Sequence, residues 1–345
     1  MKKNVILGMS GGVDSTVAAY LLKQDGYDVT GVTLALYSEN GLSEAEEARR
    51  VAQAMGIPHE TVDLSEHFHE EVIARFIRAY REGATPNPCI DCNRYIKFGE
   101  MLRYTNEKGF AYVGTGHYAR IEKDAGGRFL LKRAVDTSKD QTYVLYSLTQ
   151  HQLSHTLFPL GGYRKSEIRE IAETEGFINA RKHDSQDICF VPDGDYASFI
   201  ERYTGETFVE GDFIDKDGAV LGKHRGMIRY TVGQRKGLGI ALGRPAFVCA
   251  KNAVENTVTL GENADLFSET LTAHDVNLIA CDSIPTPIRV TAKIRYGQAE
   301  TPATVEQIEE GSIRVTFDVP QRAIARGQSV VLYDGDAVVG GGIID

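Results

Sequence analysis

One turn constrains this chain more than any other feature. Ser10-Gly11-Gly12-Val13-Asp14-Ser15 stands directly between an apolar run, Asn4 to Gly8, and a helix-patterned stretch from Ser15 to Gln24 that places Val17, Ala18, Leu21 and Leu22 on one face. Glycines let a backbone approach an anion closely, and the helix that follows offers unpaired N–H groups and the positive end of its dipole. The Ser10 and Ser15 hydroxyls add hydrogen bonds, and Asp14 can face a Mg2+ carried by a nucleotide. No Lys-Ser or Lys-Thr pair follows, so this is not a Walker A loop, and its glycines do not have dinucleotide-fingerprint spacing. A strand that ends in such a turn reads as the first unit of a doubly wound α/β fold, with ligands at the carboxyl ends of parallel strands.

The stretch that follows repeats the alternation. Val29 to Leu36 reads as a strand. Ser43 and Glu46 read as the capping box of a helix carrying Ala48, Val51, Ala52 and Met55. Thr61 to Leu64 reads as a third strand. Phe68, Val72, Ile73, Phe76, Ile77 and Tyr80 share one helical face, and Ala111 to Val113 lead as a strand into Gly114-Thr115-Gly116-His117. From Phe208 onward the pattern turns to short strands broken by Asp217-Gly218, Gly222-Lys223, Glu262-Asn263 and Asp334-Gly335-Asp336. Ile288 to Ile294 and Ile313 to Val319 alternate with period two, and Ser329 to Tyr333 is a continuous apolar run. The expected division is an α/β domain over 1–195, a small middle module over 196–268 and a β-barrel over 269–345.

Composition narrows the function classes. With 42% hydrophobic and 25% charged residues, the 345-residue chain is neither disordered nor membrane-spanning, and Met1 to Gly8 is too short in apolar residues for a signal peptide. The expected location is cytoplasmic, with no membrane partner. The net charge of −10 excludes a uniformly basic surface, but Gly222 to Arg244 carries Lys223, Arg225, Arg229, Arg235, Lys236 and Arg244 without an acidic residue, the footprint of a nucleic-acid contact. Five cysteines (Cys89, Cys92, Cys189, Cys249, Cys281) make a secreted disulfide framework unlikely in so long a chain.

Two cysteine motifs accompany the glycine turn. In Thr85-Pro86-Asn87-Pro88-Cys89-Ile90-Asp91-Cys92-Asn93, prolines hold an extended approach, and Asn93 reads as the N-cap of a helix from Arg94 to Lys108. Cys92 would then lie at a helix N-terminus, which favours its thiolate. In Ser185-Gln186-Asp187-Ile188-Cys189-Phe190-Val191, one thiol sits in a strand-like segment.

The glycine turn resembles the pyrophosphate loop of ATP pyrophosphatases. Together with Thr85 to Phe98, Thr115 to Tyr118, Lys139-Asp140-Gln141, Ser185 to Val191, Tyr230 to Ile240 and Lys293 to Gln298, the whole chain resembles the tRNA-specific 2-thiouridylases of the MnmA/TrmU family. The resemblance implies ATP, with Mg2+, at Gly8, Met9, Ser10, Gly11, Gly12, Val13, Asp14, Ser15, Leu34 and Gly116. It implies Cys92 as nucleophile and Cys189 as persulfide carrier. It implies tRNA contacts at Asn87, Pro88, Cys89, His117, Lys139, Asp140, Gln141, Arg295, Tyr296 and Gln328. The partners implied are tRNA and a sulfur donor, either a cysteine desulfurase or a sulfur-relay protein. The implied reaction exchanges the C2 oxygen of the wobble uridine for sulfur.

The pattern departs at Cys89, where many members have Asp. A [4Fe–4S] cluster on Cys89, Cys92 and Cys189 therefore stays open beside the persulfide, with zinc a weaker option using His183. An amidating ATP pyrophosphatase is the competing enzyme class, and a tRNA-binding or sulfur-carrier protein the competing non-enzyme one.

Overall fold

The computed structural model describes residues 3–37, 41–182 and 188–345, with the backbone alone of 41–44. Five strands form a wholly parallel sheet: β1 (Asn4–Gly8), β2 (Asp28–Ala35), β3 (His59–Asp63), β4 (Tyr112–Gly114) and β7 (Thr156–Leu157). Their order is β3-β2-β1-β4-β7. The chain steps outward from β1 to β3 and then returns to the other side of β1, so the topological switch point lies between β1 and β4. The glycine turn after β1 and the 115–118 segment after β4 therefore open side by side.

Local sequence explains the elements. Val5, Ile6 and Leu7 are buried, as a continuous apolar strand covered on both faces must be. Helix α1 (Val13–Gln24) buries Val17, Ala18 and Leu22 against the sheet. Helix α2 (Gly41–Ala54) begins two residues ahead of Ser43, which places Ser43 inside the helix and not at its cap. The helical stretch 65–81 buries Phe68, Val72, Ile73, Phe76, Ile77 and Tyr80 in one core, as their spacing predicts.

Two β units follow. The smaller contains β8 (Gly211–Ile214), β9 (Val220–His224), β10 (Phe247–Asn252) and β11 (Thr257–Gly261), in the order β10-β11-β8-β9. Asp217-Gly218 turns the β8–β9 hairpin. Gly222-Lys223 does not turn: both residues pair within β9, opposite Phe213 and Asp212.

The larger unit is a closed barrel of β12 (Phe267–Leu278), β13 (Ile288–Lys293), β14 (Thr301–Glu309), β15 (Ser312–Arg322), β16 (Ser329–Asp334) and β17 (Ala337–Ile344), closed by the β12–β17 pairing. A hairpin of the first domain, β5 (Ala119–Lys123) and β6 (Phe129–Arg133), extends this sheet through Lys132 opposite Ala337. No local pattern distinguishes such a hairpin from one serving its own sheet. Beneath it Phe98, Met101, Val113, Tyr143 and Tyr146 share a core with Val331, Tyr333 and Val338 of the barrel. Among the described residues, no helix is long and apolar enough to cross a membrane.

The described residues around Cys189, 188–191, form no strand. Val191 N–H donates to the Ile188 carbonyl at 2.8 Å, which makes 188–191 a turn ahead of Pro192. Ser185, Gln186, Asp187 and His183 lie outside the described residues. Phe190 anchors the turn, with ring centroids 5.7 Å from Phe68, 5.3 Å from Phe76 and 5.2 Å from Phe199. Phe190→Ala should lower the stability of the first unfolding transition by about 3–5 kcal/mol, measured by urea titration.

Candidate functional site

The glycine turn is built to leave donors free. Gly12 precedes α1 in an extended conformation, and no side chain caps the helix. Gly11 has φ +71°, the left-handed region that favours glycine. Ser15 Oγ donates to the Gly12 carbonyl at 3.0 Å and accepts from Ser10 N–H at 3.3 Å, folding the turn onto itself. Met9 continues the sheet through its N–H to the Val32 carbonyl. Gly8 ends β1, and Leu34 lies half-buried toward the end of β2. Gly116 crosses the start of α1 so closely that a Cβ would stand 3.0 Å from Ser15 N and from the Asp14 carbonyl carbon. Any larger residue would force the two strand ends apart.

Three side chains hold this turn, of which the sequence reading named only Tyr118, as the end of a resembling block, and gave it no role. Lys165 Nζ reaches both Asp14 oxygens, at 2.7 and 2.8 Å, and the Tyr118 hydroxyl donates to Asp14 Oδ1 at 2.8 Å. Asn179 Nδ2 donates to the Gly11 carbonyl at 2.9 Å and to Thr16 Oγ1 at 2.8 Å. Lys165 lies 151 residues from Asp14 in sequence, so only the fold reveals the pair. The site thus holds a buried ammonium beside a helix N-terminus, a combination suited to phosphate.

The cysteine helix starts earlier than expected. Asn87 is its N-cap, with Oδ1 accepting from Cys89 N–H at 3.1 Å, and Pro88 occupies the first turn. Cys92 consequently lies one turn in, at the start of a π-helical stretch Cys92–Glu100. Asn93 is no cap: it is buried and its Nδ2 donates to the Val144 carbonyl at 2.9 Å. Cys92 therefore gains no thiolate from a helix end. Burial pushes its thiol up to about 12, opposed by the Lys97 charge, while Cys189, Cys89 and Asp91 push it further up. The mutual influence sets Cys89 and Cys189 within electrostatic range of Cys92. Cys92 also shares one core with Phe190, Val191 and Leu34. Cys189 itself is exposed, unlike a packed structural cysteine. Cys89 is exposed too, yet the protein around it desolvates the thiol enough to raise its pKa. Among the described residues no three His, Cys, Asp or Glu side chains are grouped to hold a metal ion, so the three cysteines form no ready ligand set.

The remaining candidates divide. Tyr296 is exposed on the loop after β13. Its hydroxyl donates to the Asp140 carbonyl at 3.4 Å, and Cys89 lies near enough to influence it. This brings the barrel to the cysteine motif. His117 is buried, hydrogen-bonded to Thr115 Oγ1 through Nδ1 at 2.7 Å and flanked by Phe98 and Phe158. Burial holds its pKa well below the usual range, so it is a neutral imidazole near physiological pH. Asp140 accepts from Ala134 N–H and Thr142 Oγ1, and burial raises its carboxyl pKa. Gln141 exchanges hydrogen bonds with the Tyr118 backbone, at 2.9 Å each. Lys139 lies half-buried in the same turn. Arg295 donates to the Ala323 carbonyl, and Gln328 Nε2 donates to the Thr85 carbonyl at 2.7 Å.

The basic stretch is smaller than its sequence suggests. Lys223, Arg229 and Arg244 pair with Asp212, Glu201 and Glu262. Arg225, Arg235 and Lys236 are exposed and make no ion pair among the described residues. Tyr230, in the same stretch, is buried against Phe213 and His224 and offers no stacking face.

Residues 3–193 match the family described as "tRNA methyl transferase HUP domain", 197–262 its "PRC-barrel domain" and 268–344 an "Aminomethyltransferase beta-barrel domain". The chain is 53% identical to the tRNA-specific 2-thiouridylase MnmA of Clostridioides difficile, covering 100% of this chain and 99% of that one. It is 49% identical to the MnmA of Lachnoclostridium phytofermentans, covering 99% of each. The NMN synthetase of Francisella tularensis is a partial structural likeness, with TM-score 0.37, 17% identity, and coverage of 60% of this chain and 79% of that one.

The raised Cys92 thiol has a direct readout. A shift from 9.0 to about 12 leaves on the order of a thousandfold less thiolate near pH 8. Iodoacetamide labelling of Cys92 in the ligand-free protein, followed by peptide mass spectrometry, should be slower than that of Cys189 at pH 8. It should accelerate steeply between pH 9 and 11.

Proposed function

This chain belongs to the family of tRNA-specific 2-thiouridylases, and on that premise we propose that it uses ATP to replace the C2 oxygen of the wobble uridine of tRNA with sulfur. The observation that carries the proposal is the shared placement of Cys92, the turn bearing Cys189 and the end of β2 in one core at the carboxyl edge of the parallel sheet, the edge on which the glycine turn also opens.

The chemistry assigns a task to each part. A carbonyl oxygen is a poor leaving group, and attack of the uridine C2 oxygen on the α-phosphate of ATP converts it into bound AMP with release of pyrophosphate. The free N–H groups at the start of α1 and the Lys165 ammonium stabilise the phosphate charge. Gly8 to Ser15, Leu34 and Gly116 would line the nucleotide. Mg2+ arriving with ATP would meet Asp14, once Lys165 turns toward the phosphates.

Sulfur transfer follows. A persulfide on the exposed Cys189 presents its outer sulfur to C2. Cys92 then attacks the inner sulfur, AMP departs, and a Cys92–Cys189 disulfide remains for a thiol reductant to reset. Burial keeps Cys92 protonated until the substrate arrives, which guards it against premature oxidation. Cys189 receives its sulfur from a cysteine desulfurase or sulfur-relay protein. We assign 1–195 to activation and sulfur transfer, and 196–268 with 269–345 to gripping tRNA in the cytoplasm. Asn87, Pro88, Cys89 and Tyr296 would stand around the flipped base. Lys139, Asp140, Gln141 and Arg295 would complete the RNA-facing set, with His117, buried between two aromatic rings, and Gln328, held by the Thr85 carbonyl, standing behind it.

Two other readings are weaker. The family description speaks of methyl transfer, but two thiols in mutual range suit sulfur relay. A [4Fe–4S] cluster on Cys89, Cys92 and Cys189 lacks a grouped ligand set, and anaerobic iron and sulfide analysis distinguishes it from the persulfide.

Nucleoside analysis of tRNA incubated with protein, ATP and a sulfur source tests the proposal. The wild-type protein should yield 2-thiouridine. Cys92→Ala and Cys189→Ala should each abolish it, while tRNA-dependent pyrophosphate release persists. Retained 2-thiouridine in Cys189→Ala, or a methylated uridine in its place, would refute it.

A further inference from the structure

Both accessory domains grip the segment that delivers the cysteine motif. Thr85 immediately precedes Pro86-Asn87-Pro88. Its N–H donates to the Arg326 carbonyl at 2.8 Å and its carbonyl accepts from Gln328 Nε2 at 2.7 Å, so one barrel turn uses both of its backbone groups. Arg326 Nη1 adds a bond to the Glu82 carbonyl at 3.2 Å. Between them Gly327, at φ +84°, lies so close that a Cβ would stand 2.8 Å from Ala84 Cβ and 3.2 Å from Thr85 N. From the middle module, Lys251 on β10 reaches the Ala84 carbonyl at 3.4 Å and lies 5.9 Å from the Tyr80 ring.

Two hydrogen bonds on one residue fix its position and its orientation. Past Thr85 the chain has little freedom to absorb a shift, because two prolines restrict φ and the Asn87 cap starts the helix at once. A displacement at Thr85 therefore reaches Cys89 and Cys92 nearly undiminished.

We infer that the Arg326–Gln328 turn of the barrel is a positioning element for sulfur transfer, fixing Thr85 and through it the place of Cys92 in the core it shares with the Cys189 turn. The inference rests on the cysteine chemistry proposed above. It gives Gln328 a task distinct from touching RNA: its amide is engaged by the chain itself.

The test uses the full chain with tRNA and ATP. Thiolation kinetics and iodoacetamide labelling of Cys92 are measured for the wild type, Gln328→Ala, Gln328→Glu and Gly327→Ala. Glu keeps the shape of Gln but loses the donor, so it should behave as Ala does. The expected result is a fall in kcat for 2-thiouridine of about tenfold or more, from misplacement of the reacting sulfur. Cys92 labelling should quicken severalfold as its helix loosens. A raised KM for tRNA with unchanged kcat and unchanged labelling assigns Gln328 to RNA contact and overturns the inference. If Gly327→Ala does not fold, the two Gln328 variants decide alone. If the wild-type protein yields no 2-thiouridine, the cysteine chemistry fails, and the labelling rates still judge the clamp: no acceleration overturns it.

Discussion

The crossing of Gly116 over the first turn of α1 is the contact on which the rest depends. It sets the spacing between the ends of β1 and β4, and so the width of the crevice at the switch point. The loop after β4 carries His117 and Tyr118 with it. Tyr118 reaches back to Asp14, and His117 packs on Phe98 of the cysteine helix. One close backbone approach thereby links the glycine turn to the helix that holds Cys92.

Electrostatics divide the crevice into two unlike halves. The glycine turn combines free N–H groups with a buried ammonium and favours negative charge. The cysteine half is desolvated and keeps its thiol protonated. Lys97 acts within the cysteine half: its charge lowers the thiol pKa of Cys92 and Cys89 and disfavours protonation of His117. A negative charge held at the glycine turn would therefore meet a neutral thiol at Cys92 rather than a thiolate.

Much of this was legible in the sequence because it is local. The glycine turn, the helical face from Phe68 to Tyr80 and the alternation in Ile288–Ile294 and Ile313–Val319 each write their periodicity into consecutive residues. The start of the cysteine helix was misplaced because Asn87 and Asn93 are both competent caps, and Pro88 in the first turn decided between them. The role of Lys165 was illegible, since nothing near it in sequence indicates an Asp partner in the first helix. The basic stretch was overcounted because its acidic partners Asp212, Glu201 and Glu262 lie outside it. His117 gave no sign of its burial; two aromatic rings from separate elements supply it.

The annexed hairpin β5–β6 has a consequence for how the molecule comes apart. The hairpin joins the barrel at β17, and the core beneath it takes Val331, Tyr333 and Val338 from the barrel. A fragment ending before Phe267 would carry an open strand edge above a stripped apolar floor. Such a fragment invites self-association more readily than it retains catalytic competence. The core of the first domain is therefore complete only when β16 and β17 are packed against it.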